Sequence, residues 1–336
     1  MAELYAIARV TPSGMADQLP RNDSPLADGA LRMMIGRCLV DGWKTTMPQN
    51  ATALNGAYID AGGVRTFYLD KGEGPVIVLM HGSSIAIDAC ATWFRTIDAL
   101  AERFRVIAFD QIGFGHTDMP PGGHYLGRLE RARHAVDFLD ALELDDVILV
   151  GHSEGGFMGS HMAITQPHRV ARLVVITSGG TAPRLGGALD EPWMAASADA
   201  YGFTEAMENE DGFMASMDKF LYAPDEEFLG IIRSNYIHAR TSGNLGLFRD
   251  RATAEPNPAP YTALQEAHIH PHLPSLDVPA LLVWANNDAT VPVERGLRLM
   301  ELFGDGHMHV FDKAKHMVMI DQAAKFNSLL LGWCGA

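Results

Sequence analysis

A doubly wound, mostly parallel α/β sheet with an inserted helical cap is the fold class this sequence predicts. Three observations predict it. Short apolar runs alternate with helix-compatible stretches along most of the chain, the pattern of strand-helix-strand units. The alternation fails once, between Ser178 and Leu276, over roughly a hundred residues, too many for a structureless loop inside a compact domain. One apolar run, VILV, passes straight into Gly151-His152-Ser153-Glu154-Gly155 and then into a stretch with Phe157, His161 and Ile164 at helical spacing.

Residues 1–54 form an N-terminal extension rich in Pro, Gly, Ser and Asn around one amphipathic piece, ALRMMIGRCLVDGW (30–43), with Leu31, Ile35, Cys38 and Leu39 on one helical face. This reads as a surface helix docked on its own domain. A dimer-forming arm, and with it a homo-oligomer, is the alternative. The core is expected over 55–180 and 275–336. Its predicted strands are VRTFYL (64–69), VIVLM (76–80), RVIAF (105–109), VILV (147–150), LVVIT (173–177), ALLVWA (280–285) and MHVF (308–311). Its predicted helices are Trp93–Arg103, Leu126–Leu142, Gly155–Gln166, Val293–Leu302 and Asp321–Trp333. Residues 181–274 make the cap. That segment holds Met194, Met207, Met214 and Met217 with Trp193, Phe203, Phe213, Phe220, Phe228 and Tyr236 and carries few strand signals. Most such residues are core; at the junction of cap and core some line an apolar pocket.

The 336 residues, 47% of them hydrophobic, supply ample core, and the composition is neither disordered nor fibrous. Lys and Arg number 26 against 41 Asp and Glu, a net charge of −15, which argues against nucleic acid or an anionic membrane surface as partner. A small-molecule substrate is the partner expected. Cys38, Cys90 and Cys334 are odd in number and widely spaced, fitting a reducing compartment rather than a disulfide framework or a zinc site. The opening MAELYAIARVTPSG has neither a basic region nor a sustained apolar core, and no stretch approaches the length of a membrane span, so a cytoplasmic location is expected.

The G-x-S-x-G pattern suits a nucleophile elbow, in which small residues around the serine let the chain turn sharply and lift the Oγ clear of the sheet. A serine hydroxyl needs a base, and the base needs a third group to fix its tautomer and stabilise its charged form. In chain order Ser, acid, His, the candidates are Asp288 in ALLVWANNDATVP and His316 in MHVFDKAKHMVMID, each just past a predicted strand at the same sheet edge as Ser153. His268, His270 and His272 have a spacing that could suggest a metal, but Pro271 interrupts any regular face and no cysteine or clear acidic partner stands nearby, so no metal is assigned. An oxyanion requires preorganised N–H donors. Glu154, directly after the serine, supplies one; Ser83, in the His81-Gly82-Ser83-Ser84 loop after VIVLM, supplies the other.

Through HGSS, DQIGFGHTD (110–118), GHSEGG, NNDATVP and AKHMVMID, residues 56–334 resemble the α/β-hydrolase family. Within it, the stretch from VPVERGLRLMELF to the C-terminal LLLGW is similar to the meta-cleavage-product hydrolases, which cut carbon-carbon bonds in ring-opened aromatic compounds. The resemblance implies a 2-hydroxy-6-oxo-dienoate substrate, no metal or organic cofactor, and a cap arginine engaging the dienoate; Arg233, in FLYAPDEEFLGIIRSNY, stands at the matching place. Those enzymes usually carry Asn before the nucleophile, a more glycine-rich loop after HG, and Trp after the catalytic His. This chain has His152, Ser83-Ser84 and Met317, which are the remaining substrate-binding candidates.

A carboxylesterase with the same Ser153, Asp288 and His316 is the alternative function, and a small-molecule receptor retaining the three residues is a third class without positive support. Epoxide hydrolysis and dehalogenation are disfavoured because attack at saturated carbon in this fold uses a carboxylate, and position 153 is Ser.

Overall fold

The computed structural model describes residues 56–254 and 263–335, so the amphipathic stretch 30–43 and the rest of the N-terminal extension lie outside the described residues. Eight strands form one sheet: β1 (Gly56–Ala61), β2 (Val64–Lys71), β3 (Val76–Met80), β4 (Arg105–Phe109), β5 (Val147–His152), β6 (Val170–Ile176), β7 (Ala280–Ala285) and β8 (Gly306–Phe311). Their order is β1-β2-β4-β3-β5-β6-β7-β8. β2 runs antiparallel to β1 and β4, and every pairing from β4 to β8 is parallel.

Every apolar run named above is a strand, and one strand is additional. GAYIDA pairs with β2 through a two-residue turn at Gly62-Gly63, both at positive φ, where a side chain would strain the backbone. The alternation of side chains explains why the central strands are apolar throughout. In β3, Ile77 and Leu79 join the core on one face while Val78 and Met80 join the core on the other. β5 and β7 divide in the same way and are buried along their whole length, as expected where helices cover both faces of a parallel sheet. β8 closes one edge with exposed positions, including His307 and His309.

Beside the sheet lie α1 (Ala89–Trp93), α2 (Ile97–Leu100), α3 (Arg128–Ala141), α4 (Glu154–Thr165), α10 (Val293–Met300), α11 (Val318–Asp321) and α12 (Ala323–Cys334). The single helix expected over Trp93–Arg103 is α1 and α2 instead. Asp88 starts the first of them early by accepting the Ala91 N–H at 2.7 Å. Between β6 and β7 the chain forms α5 (Glu191–Tyr201), α6 (Glu210–Ser216), α7 (Glu226–Ser242), α8 (Asn244–Ala254) and α9 (Ala263–His268), with no strand among the described residues.

This helical segment is bound to the sheet domain by both polar and apolar contacts. Arg95 pairs with Asp225 at 2.7 Å and Glu227 at 3.0 Å, and Asn235 donates to Asp88 at 2.8 Å. Phe213, Met217, Phe228 and Tyr236 share one core cluster with Trp93 and Phe326. Among the described residues no helix is long and apolar enough to cross a membrane. Cys334 is a buried free thiol.

Candidate active site

Ser153 stands between β5 and α4 with φ 54 and ψ −117, a conformation that non-glycine residues rarely hold. Strain of this kind costs about 1–3 kcal/mol and persists only where the surroundings fix it. Here they do so through close backbone approach. A Cβ on Gly151 would lie 2.2 Å from the Gly155 carbonyl oxygen, and one on Gly155 would lie 2.3 Å from that of Met80. The two glycines are therefore sterically required, and the Ser153 N–H is pinned to the Ile176 carbonyl at 2.9 Å. Glu154 opens α4, so its N–H is among those left without an intrahelical partner at a helix start.

Asp288 and His316 come from the loops after β7 and β8. His316 Nδ1 lies 2.8 Å from Asp288 Oδ2, and both residues are buried. The other carboxylate oxygen accepts the Thr290 N–H at 2.8 Å, the Thr290 hydroxyl at 2.7 Å and the Val291 N–H at 3.1 Å. Burial alone would raise the Asp288 carboxyl, but His316 and the Thr290 donors outweigh it and hold the pKa below the ordinary carboxylate range. Asp288 is therefore ionised and accepts the proton carried on His316 Nδ1. The His316 carbonyl is clamped as well, by Thr177 Oγ1 at 3.0 Å and by His152 Nε2 at 3.1 Å. His152 is kept neutral, its pKa pushed far down by burial and by the neighbouring His316.

The loop after β3 lines the same space as the serine. Ser83 Oγ hydrogen-bonds Tyr125 Oη, and the Ser84 carbonyl accepts the Ile87 N–H at 3.2 Å. His81 fixes the base of this loop, donating from Nδ1 to the Gly82 carbonyl at 2.6 Å while Nε2 accepts the Gln111 N–H at 3.0 Å. Burial drives its pKa down to about 3, so the ring is neutral and can accept.

Two cavities meet at Ser153. The larger has Arg128, Glu154, Phe203 and Phe213 in its walls. The smaller is lined by Ile87, Met217, Phe220 and Met317 together with His152 and His316. Ser83, Ser84, Ser153, Tyr201 and Phe220 belong to both.

Of the residues singled out in the sequence, the fold thus gathers Ser153, Asp288, His316, Ser83, Ser84, Glu154, His152 and Met317 around one centre. Arg233 is not gathered there. It is exposed on α7, with 51% of its side chain accessible, it pairs with Glu210 of α6, and it lines neither cavity. The expectation that it meets the substrate is corrected accordingly: an arginine matched along a helix by sequence is placed by the helix's rotation, which here turns it outward. The guanidinium in the cavity wall is that of Arg128, whose Nε lies 2.6 Å from Glu154 Oε2, with Arg131 3.1 Å from the same oxygen. Sequence reasoning missed Arg128, Thr177, Thr290 and Tyr201. The charge of Glu154 directly after the serine was the one available signal, since a buried carboxylate calls for a cationic partner.

The family model described as alpha/beta hydrolase fold matches residues 75–323. A 2-hydroxy-6-oxo-2,4-heptadienoate hydrolase of Pseudomonas putida is 33% identical over 283 residues, 84% of this chain and 96% of the relative. A 2-hydroxymuconate semialdehyde hydrolase of a Pseudomonas species is 30% identical over 287 residues, 84% of this chain and 94% of the relative. Among solved structures, a meta-cleavage product hydrolase from Pseudomonas fluorescens, a serine-to-alanine mutant complexed with acetates, superposes with a TM-score of 0.69 at 28% identity, covering 83% of this chain and 97% of its own. The chain belongs to the alpha/beta hydrolase fold family and stands among its meta-cleavage product hydrolases.

Proposed function

We propose that this protein is a serine-dependent hydrolase that cleaves a carbon-carbon bond in a ring-opened aromatic 2-hydroxy-6-oxo-dienoate. The observation that carries the reading is the pair of cavities meeting at Ser153, one with charged groups in its wall and one apolar. A substrate with an acidic dienoate half and an apolar half past the carbonyl fits such a division. The similarity to hydrolases named for such substrates supports it.

In this reading Ser153 is the nucleophile, His316 the base and Asp288 the group that orients it. The N–H groups of Ser83 and Glu154 receive the oxyanion. A carbon leaving group departs as a carbanion unless it has an electron sink, so the dienol must ketonise before its carbon-carbon bond breaks. His316 moves the protons, and no metal or organic cofactor is required. The cap is assigned to 181–274 and the core to 55–180 with 275–336.

Carboxylester hydrolysis by the same residues is the second reading. Two observations favour it: Arg233 faces away from the cavity, and His152 stands before the serine. Steady-state rates for a 2-hydroxy-6-oxo-dienoate and a simple aryl ester, measured side by side, separate the two. A higher kcat/KM for the dienoate supports carbon-carbon cleavage, and turnover of the ester alone supports the esterase.

A further inference from the structure

The sheet fixes the spacing of the Ser83 and Glu154 loops only as far as its ladder runs. β3 and β5 pair in parallel up to Met80 and Gly151, and both residues lie just past the point where that pairing stops. Donors must stand about 2.7–3.1 Å from the developing oxyanion, so the distance between two separate loops decides whether both can reach it.

A continuous chain of buried polar groups spans this gap. Arg131 of α3, with 3% of its side chain accessible, puts Nη2 3.1 Å from Glu154 Oε2 and Nη1 3.1 Å from Gln111 Oε1. Gln111, fully buried in the loop after β4, donates from Nε2 to the His81 carbonyl at 2.5 Å and from its backbone N–H to His81 Nε2 at 3.0 Å. His81 Nδ1 in turn donates to the Gly82 carbonyl at 2.6 Å. That carbonyl and the Ser83 N–H belong to one peptide unit.

Each bond has one possible direction. Arginine only donates, so Gln111 must offer Oε1 to Arg131, which turns its Nε2 toward His81. The Gln111 N–H claims the His81 Nε2 lone pair, so the ring proton sits on Nδ1 and goes to the Gly82 carbonyl. Because a peptide unit is planar and trans, pinning that carbonyl aims the Ser83 N–H the opposite way. Arg131 also lies over the Tyr125 ring, 5.4 Å from its centre, and Tyr125 hydrogen-bonds Ser83 Oγ. Arg128 grips the Glu154 carboxylate as well, with Nε and Nη2 each 2.6 Å from one of its oxygens, and turns Nη1 to Gln265. Arg131 is what joins that carboxylate to the supports of Ser83.

We propose that Arg131 is a positioning residue for the oxyanion site, bridging the Ser83 and Glu154 donors through Gln111 and His81 and holding them at the spacing a tetrahedral oxyanion requires. Arg131 lines neither cavity. Its effect therefore falls on the tetrahedral state, where both donors are engaged at once, and not on substrate binding.

The inference rests on Ser153 as nucleophile with Ser83 and Glu154 as donors, and not on the identity of the substrate. The substrate for its test is whichever of the dienoate and the aryl ester the wild type turns over, and the probe of the oxyanion site is an aryl trifluoromethyl ketone. Ser153 Oγ adds to the ketone carbon, the π pair moves onto oxygen, and the serine proton passes to His316. Values of kcat, KM and the inhibition constant are measured for the wild type, Arg131→Met, Gln111→Met and the double variant. Removing an oxyanion donor costs about a hundredfold or more and misplacing one costs less, so Arg131→Met should lower kcat about tenfold and weaken inhibition equally, with KM within about twofold of wild type. Because the bridge acts in series, the double variant should be no slower than the slower single one. Wild-type kcat and inhibition in folded Arg131→Met, or losses that multiply in the double variant, overturn the bridge and leave the spacing to backbone packing alone. Should Arg131→Met fail to fold, Arg131→Lys decides. A lysine keeps a cation beside Glu154 but lacks the planar two-nitrogen fork that spans Glu154 and Gln111, so the same loss is expected, and wild-type kcat would overturn the proposal. A Ser153→Ala control that still forms the ketone adduct would overturn the nucleophile reading itself, and the bridge with it.

Discussion

His316 Nδ1 lies 2.8 Å from Asp288 Oδ2, with Thr290 and Val291 donating to the carboxylate's other oxygen. The carboxylate is thus ionised by its surroundings, and it determines which imidazole nitrogen can receive a proton. Removing any member of such a unit collapses the rate while sparing the fold. Ser153→Ala and His316→Ala are expected to lower kcat on the order of a thousandfold or more, with unchanged circular dichroism. Asp288→Asn should do likewise by reversing the tautomer. Normal turnover by folded Ser153→Ala would remove the nucleophile assignment.

Arg233 and Arg128 give opposite expectations. Arg233 pairs with Glu210 on an exposed helix surface, where an ion pair contributes about 0–1 kcal/mol, so Arg233→Gln should leave kcat/KM within about threefold of wild type. Arg128 holds the Glu154 carboxylate beside the nucleophile with little solvent access. Arg128→Met leaves that carboxylate to Arg131 and is expected to cost about 3 kcal/mol of stability. Arg128→Met combined with Glu154→Met should recover most of this in a denaturant titration. A large loss of dienoate turnover in Arg233→Gln alone would return that residue to the substrate site.

Acid should weaken the loop that carries Ser83. His81 is held neutral, its pKa lowered by burial to about 3 from the ordinary 6.5, so the unfolded chain binds a proton more readily than the folded one. The stability this group contributes is present above pH 6.5 and is lost as pH falls toward 3. Across that range the loss reaches at most about 5 kcal/mol. Asp88 acts in the opposite sense: burial raises its pKa to about 6, so its cost to the fold is relieved as pH falls through 6 toward 4. Melting temperatures recorded from pH 7 to pH 4 should therefore decline less steeply in His81→Gln than in the wild type. Equal slopes would show that His81 does not titrate between the two states.

Much of this architecture is legible in the sequence because its signals are local. A run such as VIVLM or ALLVWA must be buried on both faces, and G-x-S-x-G states a steric need that Gly151 and Gly155 meet with backbone oxygens 2.2 and 2.3 Å from their missing Cβ atoms. The positions of Asp288 and His316 follow from strand ends. β1 was hidden because GAYIDA has a weak pattern of its own and is held by its hairpin with β2. Tyr201 and Arg128 were hidden for another reason. Both line the cavity at the serine from helices distant in sequence, and which face of a helix meets a cavity depends on packing that no spacing rule encodes. The same cause misled the reading of Arg233.

Carbon-carbon cleavage at Ser153 is tested by identifying the products. Purified protein is incubated with a 2-hydroxy-6-oxo-dienoate, the loss of the dienoate chromophore is followed, and the products are identified by mass spectrometry beside a Ser153→Ala control. Equal amounts of a carboxylic acid and a shorter hydroxydienoic acid are expected from the wild type, and neither from the variant. A dienoate left intact by protein that hydrolyses an aryl ester through Ser153 would contradict it.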